Sequence, residues 1–215
     1  MVDVKICGIS SPADYYACCA AGARWVGMVY YPGSPRHLDI AALSSLADQI
    51  ETSQIAGPQR VLLTVDQTLA SSRALVAAAR PDFLQLHGQE TVGSAIAIKA
   101  EFGLPIIKMI PIETRADLVA CTPWDGVADL LIFDAKVTKG SQPGGTGHRF
   151  DWTILSHYQG RTPWMLAGGL TIDTVAEAVM ISGAGAVDVS SGVEHQRGKK
   201  DKIKIHDFIR AAQIG

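Results

Sequence analysis

Apolar and polar positions alternate at the start of the chain. Val2, Val4 and Ile6 interleave with Asp3, Lys5 and Cys7, which is the period of two of a β-strand. One face can pack on helices; the other carries a carboxylate, an ammonium and a thiol. Gly8 ends the run, Ser10 or Ser11 can cap a helix, and Pro12 suits its first turn. The same cycle then recurs. Apolar runs predict further strands over 25–30, 60–65, 82–86, 105–110, 129–133, 163–167 and 184–189. Helical spacing predicts helices over 12–21, 40–52, 69–79, 90–102, 114–121, 151–158, 171–182 and 201–212. The links are short except one, the Gly-rich stretch 135–149.

Eight strands alternating with eight helical segments predict a parallel sheet. Eight units predict its closure into a single (β/α)8 TIM barrel spanning residues 1–215 as one domain. An open doubly wound sheet would want G-x-G-x-x-G after an early strand, and the sequence has none.

Composition narrows the function classes. The 215 residues carry a net charge of −2, and the longest basic run is Arg197-Gly198-Lys199-Lys200, so nothing calls for nucleic acid or an acidic membrane surface. No basic-then-apolar leader opens the chain and no apolar run is long enough for a bilayer. Cys7, Cys18, Cys19 and Cys121 lack metal spacing. They read as reduced thiols of a cytoplasmic protein, the last three as small apolar filler.

In such a barrel the C-terminal ends of the strands share one rim, where chemistry is done. Gly168-Gly169 and Ser190-Ser191-Gly192 follow the last two strands. Small residues let backbone N–H groups approach an anion and hydroxyls add donors, so two adjacent loops of this kind point to phosphate. Arg36, in a proline-bracketed loop, can clamp a carboxylate or a second phosphate, or be solvated. Asp188 either orients the phosphate loop or a ligand hydroxyl, or makes a structural hydrogen bond. Asp66 reads as a cap or a solvated acid. His87 either meets ligand or closes the rim. Cys7 and Asp134 end the first and sixth strands. A thiol and a carboxyl across a small barrel can serve as base and acid on one substrate. Lys5, Lys108 and Lys136 compete as Schiff-base lysines. Lys5 shares strand parity with Cys7, so it either supports the thiolate or pairs with Asp3.

The residues resemble the phosphoribosylanthranilate isomerase family of tryptophan biosynthesis from end to end. The resemblance rests on Lys5-Ile6-Cys7-Gly8, Tyr31-Pro32-Gly33-Ser34-Pro35-Arg36, Leu84-Gln85-Leu86-His87-Gly88, Phe133-Asp134, Gly144-Gly145-Thr146-Gly147 with Phe150-Asp151-Trp152, Leu166-Ala167-Gly168-Gly169-Leu170, and Val187-Asp188-Val189-Ser190-Ser191-Gly192-Val193-Glu194. It implies a (β/α)8 barrel that converts N-(5-phosphoribosyl)anthranilate to 1-(2-carboxyphenylamino)-1-deoxyribulose 5-phosphate by an Amadori rearrangement, without cofactor or metal. It implies Asp134 as general acid at the furanose oxygen and Cys7 as general base at the sugar C2. It gives Arg36 to the anthranilate carboxylate, and the glycines and serines after the last two strands to the phosphate. His87 and Asp188 are further substrate-side candidates. Family members occur as monomers and homodimers.

Departures from the family pattern are local: Ala135 after Asp134, Gln89 after the histidine-glycine pair, and Arg197 where a proline is usual. The acid needs the larger tuning. Keeping an ordinary aspartate protonated at pH 7 costs roughly 4 kcal/mol, against about 2 kcal/mol for ionising an ordinary thiol. The expectation is a raised Asp134 and a modestly lowered Cys7. The stretch 135–149 is too long for a simple turn and is expected to fold over substrate. Alternatives are a sister phosphate-binding barrel, such as indoleglycerol-phosphate synthase or a sugar isomerase acting on a related aminoaldose, a bifunctional relative acting on both tryptophan and histidine precursors, and a non-catalytic phosphate-ligand-binding barrel.

Overall fold

The computed structural model describes residues 1–136 and 151–215. Eight parallel strands close into a barrel in chain order. They are β1 (Asp3–Cys7), β2 (Trp25–Tyr30), β3 (Gln59–Thr64), β4 (Phe83–Leu86), β5 (Ile106–Ile112), β6 (Leu130–Ala135), β7 (Trp164–Leu166) and β8 (Ala186–Val189). β8 pairs with β1 and closes the ring, Lys5 lying opposite Asp188. The joints differ in length. β5 and β6 share six register pairs, whereas β7 and β8 share only Leu166 with Val187.

The period of two sorts the side chains. Val4, Ile6, Met28, Leu62, Leu84, Leu131 and Val187 face outward into the helix-packed core. Trp25, Val61, Ile107, Ile132, Met165 and Ala186 fill the inside, with Cys7, Val29 and Leu63 in a separate layer. Apolar filling of the interior makes it a packed core rather than a pore. Asp134 stands two residues beyond Ile132 and Asp188 two beyond Ala186, so both share the inward parity.

Among the described residues six α-helices surround the strands: α1 (Pro12–Ala21), α2 (Ile40–Thr52), α3 (Leu69–Ala79), α4 (Val92–Phe102), α5 (Val175–Ser182) and α6 (Lys202–Ala212). At α1 the Ser11 side chain and Asp14 form a capping box, Pro12 opens the first turn, and Gly22 closes it in the left-handed region. Among the described residues no helix is long and apolar enough to cross a membrane.

Several boundaries differ from the sequence expectation. α4 begins at Val92, not residue 90. Thr91 caps it, while the Glu90 carboxylate accepts from Asp66 N, Gly88 N and Lys108 Nζ. α5 begins at Val175, because Thr174 Oγ1 accepts the Thr171 N–H and holds 171–174 as a turn. The fifth and sixth connections are 3-10 helices, Arg115–Trp124 and Trp152–His157; the first contains Pro123, which cannot donate to an α-ladder. A hairpin of β9 (Glu194–Gln196) and β10 (Lys199–Lys200) follows β8, where the pattern predicts only loop. The expected lid over 135–149 lies, from residue 137 on, outside the described residues.

Candidate active site

Cys7 is the last residue of β1, opposite Gly27 of β2. A Cβ at Gly27 would stand 2.9 Å from Cys7 Sγ, so the missing side chain is what gives the thiol its space. Two residues below, Lys5 is fully buried. Its Nζ donates to Asp188 Oδ1 at 2.9 Å. That settles its partner: Asp3 instead faces Arg24 on the surface at 3.4 Å. Burial would lower the Lys5 pKa, but Asp188 and Cys7 outweigh it and raise it. The ammonium keeps its charge.

Asp134 lies one residue before the end of β6 on the inner face, and a Cβ on Gly168 would lie 3.1 Å from its Oδ1. Gly168 has φ of 95° and Gly169 of 67°, both in the region that favours glycine. Burial, helped by the Asp188 charge, pushes the Asp134 carboxyl up to about 6; the Ala135 N–H and Lys5 oppose this. The expected upward shift is present.

The expected lowering of Cys7 is not. Burial raises the thiol above its ordinary value, and Asp188 adds to it; Lys5 and Lys200 pull the other way without reversing it. Desolvation is the largest effect, and Asp188 offsets part of the help from Lys5.

His87 lies just beyond β4. Its Nδ1 is 2.9 Å from Gln85 Nε2. An amide nitrogen donates, so this contact assigns the ring proton to Nε2. Burial first, then Lys5, lowers its pKa to about 4, so the ring is neutral at pH 7. Asp66, in the loop after β3, caps no helix; it is exposed, and its Oδ1 accepts the Gln89 N–H at 2.6 Å and ties two rim loops together.

Arg36 is not solvated. Its Nε and Nη2 donate to the two Glu194 oxygens at 2.6 and 2.8 Å. Glu194 also accepts from Gly198 N at 3.0 Å and Lys200 Nζ at 3.1 Å. Lys200 Nζ reaches the Ser190 carbonyl at 2.9 Å, and Ser190 Oγ donates to the Cys7 carbonyl at 2.9 Å. Burial would raise the Glu194 carboxyl, but Arg36, Gly198 and Lys200 outweigh it and hold it low. Sequence reasoning missed this cluster. Lys200 reads as part of a surface basic run. The one available signal is Arg197-Gly198, a two-residue turn ending in glycine between short polar strands.

Ser191–Val193 forms a 3-10 turn after Ser190. A Cβ on Gly192 would collide with the Leu170 carbonyl. Gly192 therefore lets the loops after β7 and β8 abut. The structure thus gathers Cys7, Arg36, His87, Asp134, Gly168, Gly169, Asp188, Ser190, Ser191 and Gly192 at the C-terminal ends of the strands. A sequence model described as N-(5'-phosphoribosyl)anthranilate (PRA) isomerase matches residues 4–211.

The chain belongs to the PRA isomerase family.

A PRA isomerase of Rhodopseudomonas palustris strain BisA53 is 46% identical over 213 residues, 99% of this chain and 96% of the relative. The phosphoribosyl anthranilate isomerase of Thermotoga maritima superposes with a TM-score of 0.87 at 30% identity, covering 99% of each chain. A PRA isomerase solved with reduced 1-(o-carboxyphenylamino)-1-deoxyribulose 5-phosphate superposes with a TM-score of 0.84 at 27% identity, again covering 99% of each. The PRA isomerase fold therefore runs through the whole chain, and the sequence reading of a closed barrel holds.

Proposed function

We propose that the chain is a single catalytic domain of the cytoplasm that converts N-(5-phosphoribosyl)anthranilate to 1-(2-carboxyphenylamino)-1-deoxyribulose 5-phosphate in tryptophan biosynthesis. The observation that carries the residue assignment is a carboxyl raised to about 6 on β6 and a thiol at the end of β1, both beside the Lys5–Asp188 pair. Asp134 gives its proton to the furanose ring oxygen as the C1–O bond breaks, and the anilino nitrogen lone pair forms the imine. Cys7 takes the C2 proton, and its electrons close the C1–C2 double bond of the enolamine while the imine nitrogen is neutralised. Tautomerisation then gives the C2 ketone, with no net gain or loss of atoms. Arg36 receives the anthranilate carboxylate. The Gly168-Gly169 and Ser190-Ser191-Gly192 loops seat the phosphate through backbone N–H groups and hydroxyls. Neutral His87 offers its Nε2–H to substrate, and Asp188 holds the Lys5 ammonium, whose charge acts on both reacting groups.

The test is a coupled assay that generates the substrate in situ and follows loss of its anthranilate-type fluorescence. Purified protein is expected to quench the signal catalytically. Phosphate-ligand binding without turnover would leave the non-catalytic barrel instead.

The pH dependence follows from the two shifts. The productive form needs protonated Asp134 and ionised Cys7, yet Asp134 titrates near 6 and Cys7 above the ordinary thiol value. The acid therefore titrates below the base, and the reactive pairing is a minor form of the free enzyme. The kcat/KM profile is expected to be bell-shaped, rising through about 6 and falling only at the raised thiol value. A profile already declining between pH 7 and 8 would contradict the raised thiol.

A further inference from the structure

Arg36 presents a difficulty as an anion receptor. Its guanidinium is already paired with Glu194 through both Nε and Nη2. A cation matched one-to-one by a carboxylate presents little net charge to a second carboxylate, and the Glu194 oxygens would repel it. Lys200 changes the balance. Its side chain is 1% exposed, and its Nζ faces Glu194 Oε1 at 3.1 Å, the Ser190 carbonyl at 2.9 Å and Ser190 Oγ at 3.4 Å. Burial lowers the Lys200 pKa and Glu194 opposes it; in its charged form two cations face one carboxylate. Lys204 adds nothing comparable: its Nζ bonds the Glu194 backbone carbonyl, and the Asp201 carboxylate interacts with it.

We infer that Lys200 is a positioning residue that leaves the Arg36–Glu194 pair with one net positive charge, and so lets Arg36 receive the substrate's ring carboxylate. The inference rests on the proposed role of Arg36. Glu194 fixes the plane of the guanidinium, and Lys200 supplies the charge that Glu194 removes. Lys200 acts from behind, since the three atoms around its ammonium belong to the protein.

The test compares two ligands: reduced 1-(o-carboxyphenylamino)-1-deoxyribulose 5-phosphate and its counterpart lacking the ring carboxylate. Dissociation constants are measured for the unaltered protein, Lys200→Met, the double variant Glu194→Gln/Lys200→Met, and Arg36→Met. Lys200→Met is expected to weaken the carboxylate-bearing ligand about tenfold and the other less than about twofold. In turnover it raises KM, and because Lys200 also pulls the Cys7 thiol down, kcat and KM are compared at the optimum of each variant's own pH profile. The double variant returns the cluster to one net positive charge and is expected to recover most of the lost affinity. A purely structural role predicts the opposite, with the double variant no better than the single and both ligands weakened alike. That result would overturn the inference. If Arg36→Met abolishes discrimination between the ligands while Lys200→Met leaves it intact, this inference alone falls. If Arg36→Met leaves discrimination intact, the Arg36 assignment falls and takes the inference with it. Should Lys200→Met not fold, Lys200→Gln, which can still donate to the Ser190 carbonyl, carries the same expectation.

Discussion

Asp134→Asn is expected to abolish useful turnover and to yield a more stable protein. The two effects have one origin. The carboxyl titrates at about 6 in the folded chain against an ordinary 3.8, because the fold disfavours its charged form. Between those values the folded state binds more protons than the unfolded one. The contribution of Asp134 to stability is therefore greatest at low pH and is lost as pH rises through about 6. At pH 8 the ionised carboxylate costs on the order of 2–3 kcal/mol. Asparagine keeps the shape, carries no charge and has no proton to give. Its kcat should fall by about two to four orders of magnitude, while its Tm at pH 8 should rise by several degrees. Affinity for the reduced product analogue should stay near that of the unaltered protein. Calorimetry and the fluorescence assay read both arms, and near-normal turnover would remove Asp134 from the acid's role.

Cys7→Ser and Cys7→Ala should be equally inactive, each about two to four orders of magnitude below the unaltered protein. The comparison separates shape from ionisation. Serine nearly preserves the volume beside Gly27, Val29 and Leu63, but its hydroxyl is far too basic to form an anion there. Both variants should still bind the reduced product analogue. The residual activity of each should lose the rising limb of the pH profile and decline instead as pH passes about 6, since only the Asp134 proton then limits it. A serine variant that kept most of the turnover would mean that another group takes the C2 proton.

These two residues were readable in the sequence for a simple reason. Strand parity and strand ends are local properties. Cys7 and Asp134 each close an apolar run, and Asp188 shares the inward parity of Ala186. The closed barrel was readable for the same reason, from eight repeats of a period-two run followed by helical spacing. What was not readable depends on distance along the chain. Arg36 and Glu194 are 158 positions apart, and no local pattern tells that one neutralises the other. Lys200 looks solvated until the hairpin turns it inward. Glu90 passes for the start of a helix because its buried partner, Lys108, belongs to the next strand. The sign of the Cys7 shift follows first from its depth, with Asp188 offsetting part of the help from Lys5, and neither depth nor Asp188 is contained in one strand's sequence.

The unequal joints of the barrel have a consequence for its ligand. The two anion-seating loops leave β7 and β8, the neighbours joined at a single register pair. A phosphate gripped from both sides would act as a clasp across the narrowest stave joint of the ring, so the empty enzyme should breathe most at that point. The group that anchors the substrate would then also hoop the barrel that transforms it.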